Sequence, residues 1–500
     1  MKKSIAIFFL LLFIVPAINA QTDADEFRKK AQREYEAFKK KAQQEYDSFR
    51  DKANKDYAEF VKQAWQEYNS FKGMEKPKEN PVPPVVCPKE DKDRQRKDEK
   101  KPFEDIIKIE EPIKEQPSPV EPIIEEPILT PTVDTARFYF FGTEFRYTLQ
   151  DLYTFNLQGS AEKDIAKGWQ TLSQKKYEHL IAECLDMRKE RQLNDWAYLQ
   201  MLEKFAENII GKQCNESVLL MAYIYCQSGY MMRLAMDGNK LYMLYACDDI
   251  IYNKDYYMIE GQKYYLYGVK ALESISICTA SYPKERVMTL RINSEPLFAK
   301  HNSKVRDLQS KAYPMLKAGV EVNTNLIDFY DSYPTGAVNE DFGTRWAIYA
   351  NTPLSTETKK TLYPALRKSL QGKTKQESAE MLLNFVQTSL VYEYDDKVWG
   401  GDRAFFAEET LYYPYADCED RAILYSRLVR DLLGIKAVLI YYPGHLATAI
   451  NLEGYNQRGD YIEVRGERYY IADPTYINAP IGLQMPQLKN EKIKVILLEQ

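Results

Sequence analysis

Phenylalanine recurs every eleven residues near the start of the chain, at Phe27, Phe38, Phe49, Phe60 and Phe71. Ala31, Ala42, Ala53 and Ala64 keep the same interval, and so do Tyr35, Tyr46, Tyr57 and Tyr68. Eleven residues over three turns is about 3.67 per turn, close to a straight α-helix, so the apolar stripe stays on one face. Lys, Arg, Glu and Gln fill the other faces. The spacing predicts one long helix over residues 21–73, about 75 Å at roughly 1.5 Å per residue. Gly73 and Pro77 supply its stop. A lone helix cannot bury such a stripe. Residues 24–72 would therefore pack on a second copy, on an envelope partner, or on a membrane or wall surface. The alternative is a solvated spacer with weak self-association.

The segments on either side have different compositions. Lys2 and Lys3 precede an apolar run from Ile5 to Val15, followed by Pro16 and the small-residue stretch Ala17-Ile18-Asn19-Ala20. That layout reads as a secretory signal peptide, residues 1–20. The expected location is outside the cytoplasm, in the periplasm or at the cell envelope of a bacterium or beyond it, with no integral membrane segment after cleavage. Residues 74–135 hold 12 of the chain's 24 prolines among Glu, Lys, Asp and Arg. They read as an extended, semi-rigid tether.

With 500 residues, length alone suggests two to four units. A hydrophobic fraction of 45% is enough for a sizeable core. The net charge of −5, with no basic excess, argues against a nucleic-acid partner. Only three histidines occur, His179, His301 and His445, and the seven cysteines are an odd number. No Cys/His pattern has zinc spacing and no glycine-rich phosphate loop is present, so no metal and no cofactor is expected.

The chemistry concentrates in residues 355–500. Thr374 and Glu377 form a capping box ahead of the apolar run Met381, Leu382, Leu383, Phe385 and Val386. A loop rich in Tyr, Trp and Gly leads to Asp417-Cys418-Glu419-Asp420, where apolar residues at helical spacing begin and run to Gly434. Cys418 is thus placed at a helix N-terminus, which favours the thiolate, while its acidic neighbours oppose it. Strands follow over Ile435–Tyr442, from His445 to Ile450, and as a hairpin about Arg465-Gly466 that ends in Asp473-Pro474-Thr475. A thiol nucleophile needs a base, and the base needs an orienting carboxylate. Cys418, His445 and Asp473 fill those roles in chain order.

The segment Asp417-Cys418-Glu419-Asp420-Arg421-Ala422, the Gly444-His445 strand and Tyr470-Ile471-Ala472-Asp473-Pro474-Thr475 resemble the transglutaminase-like (papain-related) cysteine enzyme core, over about Ser355 to Gln500. The resemblance implies an α+β core with the cysteine helix packed on an antiparallel sheet. It implies Cys418 as nucleophile, His445 as base and Asp473 as orienter, and acyl-transfer chemistry on amides. No calcium-site pattern of the crosslinking members is found. Trp399 and Tyr394 are the aromatic candidates near the oxyanion, although loop packing accounts for both.

Residues 136–285 read as a degenerate copy of that core. Cys214 to Gly268 can be laid beside Cys418 to Asp473, with Lys240-Leu241 at the histidine position and Gly268 at the aspartate position. Arg137-Phe138 to Thr143 parallels Arg345-Trp346 to Thr352. Residues 286–354 read as a connecting helical region, with Ser303–Leu316 a helix. Two functions fit the whole. One is a secreted cysteine hydrolase or amidase acting on protein or on peptidoglycan stem peptides. The other is a non-catalytic assembly protein that uses the fold and the long helix for binding.

Overall fold

The structure is a computed structural model that describes residues 20–75, 80–93, 97–109, 135–148, 156–174, 177–338, 341–452, 454 and 458–500, with side chains from residue 28 apart from 92 and 93. The leader lies outside the described residues except for Ala20, and so does the tether over 110–134. The described chain is a mixed α+β fold built around two mainly antiparallel sheets. Among the described residues no helix is long and apolar enough to cross a membrane.

The two sheets share one plan. The first runs Trp65–Asn69, Ser274–Cys278, Met232–Asp237, Lys240–Ala246, Gln262–Leu266, Tyr257–Ile259 across its width. The second runs Asp105–Ile107, Lys494–Leu497, Ala437–Tyr442, His445–Ile450, Glu467–Ala472, Asp460–Val464, Glu99–Lys100. In each, two consecutive hairpins lie side by side and a late strand pairs outside the first one. Each also follows a helix that packs on it, Asn215–Gln227 on the first and Cys418–Leu433 on the second.

Register makes the correspondence residue by residue. Asp237 pairs with Lys240, as Tyr442 pairs with His445. Counting along the central strands, Tyr245 then matches Ile450, and their partners Tyr265 and Tyr470 match each other. Two residues past Leu266 and Ile471, Gly268 falls where Asp473 falls. The upstream parallel does not hold. Arg137-Phe138 lies in the hairpin strand Thr135–Phe140, whereas Arg345-Trp346 lies in the helix Thr344–Asn351.

The first helix spans Ala20–Val61 and stops short of the last repeats. Ala64 follows the turn, Tyr68 lies in the strand Trp65–Asn69 paired antiparallel with Ser274–Cys278, and Phe71 bridges and stacks on Tyr256. Ladder bonds to a strand some two hundred residues away outweigh the local period. The stripe upstream is divided. Tyr57 is buried 4.4 Å from Trp169 and 5.8 Å from Tyr282, and the Trp169 Nε1–H donates to Asn54 Oδ1 at 3.1 Å. Phe38 and Tyr35 are 70% and 66% exposed and Phe60 is 51% exposed, so the stripe is buried only in part, around Ala53 and Tyr57.

The proline-rich segment departs from a plain tether. Glu99–Lys100 and Asp105–Ile107 add parallel strands to the two edges of the second sheet, and Val85–Val86 pairs with Tyr476–Ile477. Exposed edges present unpaired N–H and C=O groups, and these short strands cover them. Ser303–Leu316 is also not a helix. Arg306–Gln309 pairs with Lys317–Val320, burying Leu308, Ala318 and Val320 on one side by strand alternation.

Tyr57→Ala should destabilise the protein by about 3 kcal/mol in denaturant titration, because it empties a fully enclosed aromatic site. Phe38→Ala should change stability by no more than about 0.5 kcal/mol.

Candidate active site

Asp417 caps the helix that Cys418 opens. Its carboxylate accepts the Glu419 N–H at 3.0 Å and the Asp420 N–H at 3.4 Å, while Asp420 Oδ2 accepts the Asp417 N–H at 3.2 Å. This reciprocal box explains the Asp-Cys-Glu-Asp run and makes Cys418 the first helical residue. His445 opens the central strand of the second sheet after the turn at Pro443-Gly444. Gly444 has φ +72°, a conformation that glycine adopts without strain. Asp473 follows the neighbouring strand Glu467–Ala472 directly.

These placements bring the three residues to one region. His445 Nε2 and Asp473 Oδ2 lie 2.9 Å apart, with both side chains buried. Asp473 Oδ1 accepts the Thr475 N–H at 2.8 Å, so the carboxylate is held from both sides. The other ring nitrogen, His445 Nδ1, is buried and has no hydrogen-bond partner among the described residues. Cys418, His445 and Leu446 line one cleft of about 690 Å³. Cys418 and His445 both line the cleft, and no hydrogen bond joins the Cys418 sulfur to His445 Nδ1.

Burial pushes the Cys418 thiol well above its ordinary value, and the Asp417 and Glu419 carboxyls push it further. The Leu446 backbone N–H opposes them by bonding the sulfur. Position at a helix start is therefore outweighed here. Removal from water and two adjacent acids favour the neutral thiol more than the helix end favours the thiolate.

The acids form a group of their own. Oxygens of Asp395, Asp417 and Glu419 lie within 4.8 Å of one another, an arrangement of carboxylates that could hold a cation. Arg345 stands against them, 2.8 Å from Asp402 Oδ2 and 3.0 Å from Glu419 Oε2, and the Trp346 indole N–H donates to the same Glu419 oxygen. Burial raises the Glu419 carboxyl to about 8, with Arg345 opposing.

Sequence reasoning missed the residues that brace this geometry. Gln387 Nε2 donates to the Asp473, Tyr476 and Ala479 carbonyls at 3.1, 2.8 and 3.0 Å. Arg421, one turn into the cysteine helix, donates to the Gln387 and Leu390 carbonyls at 3.2 and 3.0 Å. Both side chains are buried. Gln387 follows a run that already holds the polar Asn384 and precedes Thr388 and Ser389, so the sequence carried no signal that singled it out. Trp346 was also missed as a wall of the cleft, stacked 5.2 Å from Tyr441. Trp399 and Tyr394 sit in aromatic loop clusters, with Trp399 4.8 Å from Tyr413 and Tyr394 5.4 Å from Tyr392.

At the equivalent place on the first sheet the groups differ. Cys214 is the residue before the helix, so Asn215, the first helical residue, stands where Cys418 stands. Asn215 Oδ1 accepts the Leu241 N–H at 2.9 Å, as Cys418 takes the Leu446 N–H. At the three equivalent positions Asn215, Lys240 and Gly268 thus stand where the second sheet has Cys418, His445 and Asp473. None of the seven cysteines is in a disulfide.

No family model, curated protein or solved structure matches the chain.

A carboxyl raised from 4.5 to about 8 binds its proton more tightly folded than unfolded. Its contribution to stability is full below about 4.5 and is lost as pH rises through about 8. Glu419→Gln should therefore lose less melting temperature than the wild type between about pH 5 and pH 8, measured by calorimetry. An equal or greater loss in the variant would contradict the assignment.

Proposed function

We propose that the protein is a secreted cysteine hydrolase or amidase of transglutaminase-like type, with Cys418 as nucleophile, His445 as base and Asp473 as orienter. The observation that carries this is the 2.9 Å bond from His445 Nε2 to Asp473, which leaves Nδ1 of a histidine that lines the same cleft as Cys418 without a partner among the described residues. A ring nitrogen bonded to a carboxylate holds the tautomer in which the other nitrogen is a free base.

The steps follow from these groups. His445 Nδ1 takes the Cys418 proton as the sulfur attacks the amide carbonyl carbon. The tetrahedral intermediate collapses, the C–N bond breaks, and the departing amine takes that proton from the imidazolium. Water, deprotonated by His445, then attacks the thioester, releasing the acid and restoring the thiol. Because the resting thiol is neutral, the proton moves with the attack instead of preceding it. The substrate would be a protein or a peptidoglycan stem peptide, met in the periplasm or at the envelope, as the leader-like N-terminus suggests. Residues 136–285 would be a degenerate copy retained for binding or scaffolding, a reading supported by the shared strand order and by Asn215, Lys240 and Gly268 at the three positions.

One observation favours a second reading. The thiol makes no hydrogen bond to His445 and is held neutral by burial, as in a binding module that keeps the fold without the reaction. The exposed half of the long helix would then be the working surface.

Cys418→Ala should abolish both amide cleavage of envelope protein extracts and labelling by a thiol alkylator, with an unchanged circular dichroism spectrum. Asp473→Asn should lower kcat by a factor on the order of 10⁴ while Cys418 remains present. Cleavage that survives Cys418→Ala would overturn the assignment.

A further inference from the structure

The chain's own N-terminal segment lies on both rims of the Cys418 cleft. On one rim, Phe71 bridges Tyr256, the Gly73 N–H donates to Asp255 Oδ1 at 2.8 Å, and the Asn253 N–H donates to the Met74 carbonyl at 2.9 Å. On the other, the Val82 N–H donates to the Gly444 carbonyl at 2.9 Å, and Val85–Val86 pairs with Tyr476–Ile477. Glu75, Asn80 and Pro81 line the same cleft as Cys418 and His445.

The contacts are close, and all but the Gly73–Asp255 bond join backbone to backbone. A methyl group on Gly444 would collide with the Asn80 carbonyl, and one on Gly73 with the Lys254 carbonyl. Gly444 is the neighbour of His445, so the second limb touches the turn that presents the base. Pairing of an extended segment with backbone groups at a rim is how an extended peptide binds an open edge. The composition of the limb suits an occupant that is not itself cut. Prolines at 81, 83 and 84 leave Val82 as the one N–H donor between Asn80 and Val85. Their peptide bonds lack the N–H and have a fixed φ, which makes them poor substrates for acyl transfer.

We propose that the limbs Gly73–Glu75 and Asn80–Val82 are a built-in cover seated where an extended polypeptide substrate binds, so that the enzyme is held back until they leave the Asn253–Asp255 and Gly444 rims. This rests on the amide-cleaving reading of the cleft, and it narrows the substrate class to an extended polypeptide.

The test uses the full chain and two thiol reagents, small iodoacetamide and a peptide chloromethyl ketone, with Cys418 labelling followed by peptide mass. Val82→Pro removes the donor to Gly444, and Asp255→Ala removes the acceptor of Gly73. In the double variant the ratio of peptide-reagent rate to iodoacetamide rate should rise roughly tenfold, as expected for two rim hydrogen bonds lost. An unchanged or lower ratio overturns the proposal, including the case in which general loosening raises both rates alike. Should the double variant not fold, Asp255→Ala alone decides, with a rise of roughly threefold expected. If the ratio rises while no variant cleaves any peptide amide, the cover stands and the hydrolase reading falls.

Discussion

The side-chain amide of Gln387 sits where the segments carrying the candidate site meet, and the placement of Asp473 relative to Cys418 depends on it. Its Nε2 reaches three carbonyls of the loop that follows the Asp473 strand, and its own backbone carbonyl receives Arg421 from the cysteine helix. A buried amide left without these partners would cost roughly 1–3 kcal/mol per unsatisfied group, so the loop cannot drift without exposing that cost. The sheet adds the remaining restraint. Thr448, three residues after His445, donates to the Ala422 carbonyl at 3.2 Å and ties the histidine strand to the same helix. Helix, strand and loop are thus locked pairwise, and the 2.9 Å His445–Asp473 bond is the outcome.

The same sheet plan, used twice, gives two places with opposite character. On the second sheet, a thiol, a base and an acid stand at the helix start and two strand ends. On the first, Asn215 takes the backbone N–H that bonds sulfur in the other, and Lys240 and Gly268 replace base and acid. The second sheet is also the one whose two edges are closed by strands from the proline-rich segment. That segment is therefore part of the structure that holds the candidate site, and residues 355–500 alone would expose both edges.

Much of the candidate site was legible because its signals are local. A capping box marks where a helix begins, Pro-Gly marks the turn before His445, and alternating residues mark the strands to Asp473. The failures were all tertiary. The eleven-residue period says nothing of Ser274–Cys278, whose pairing ends the helix at Val61. Proline content reads as a tether, although Ile106 and Ile107 add to a sheet edge. Gln387 and Arg421 look like surface residues until the loop after Asp473 folds over them. The helix start at Cys418 and the acids that oppose a thiolate there were both legible, but the burial that raises the thiol most depends on packing.

In the proposed mechanism Cys418 forms the acyl intermediate. Rapid quenching of the full chain after mixing with a peptide active ester, followed by mapping of cysteine adducts, tests it directly. The expected result is a thioester on Cys418, ahead of the six other cysteines, that decays as the free acid appears. Absence of an adduct at Cys418, or adducts spread evenly over the cysteines, would contradict it.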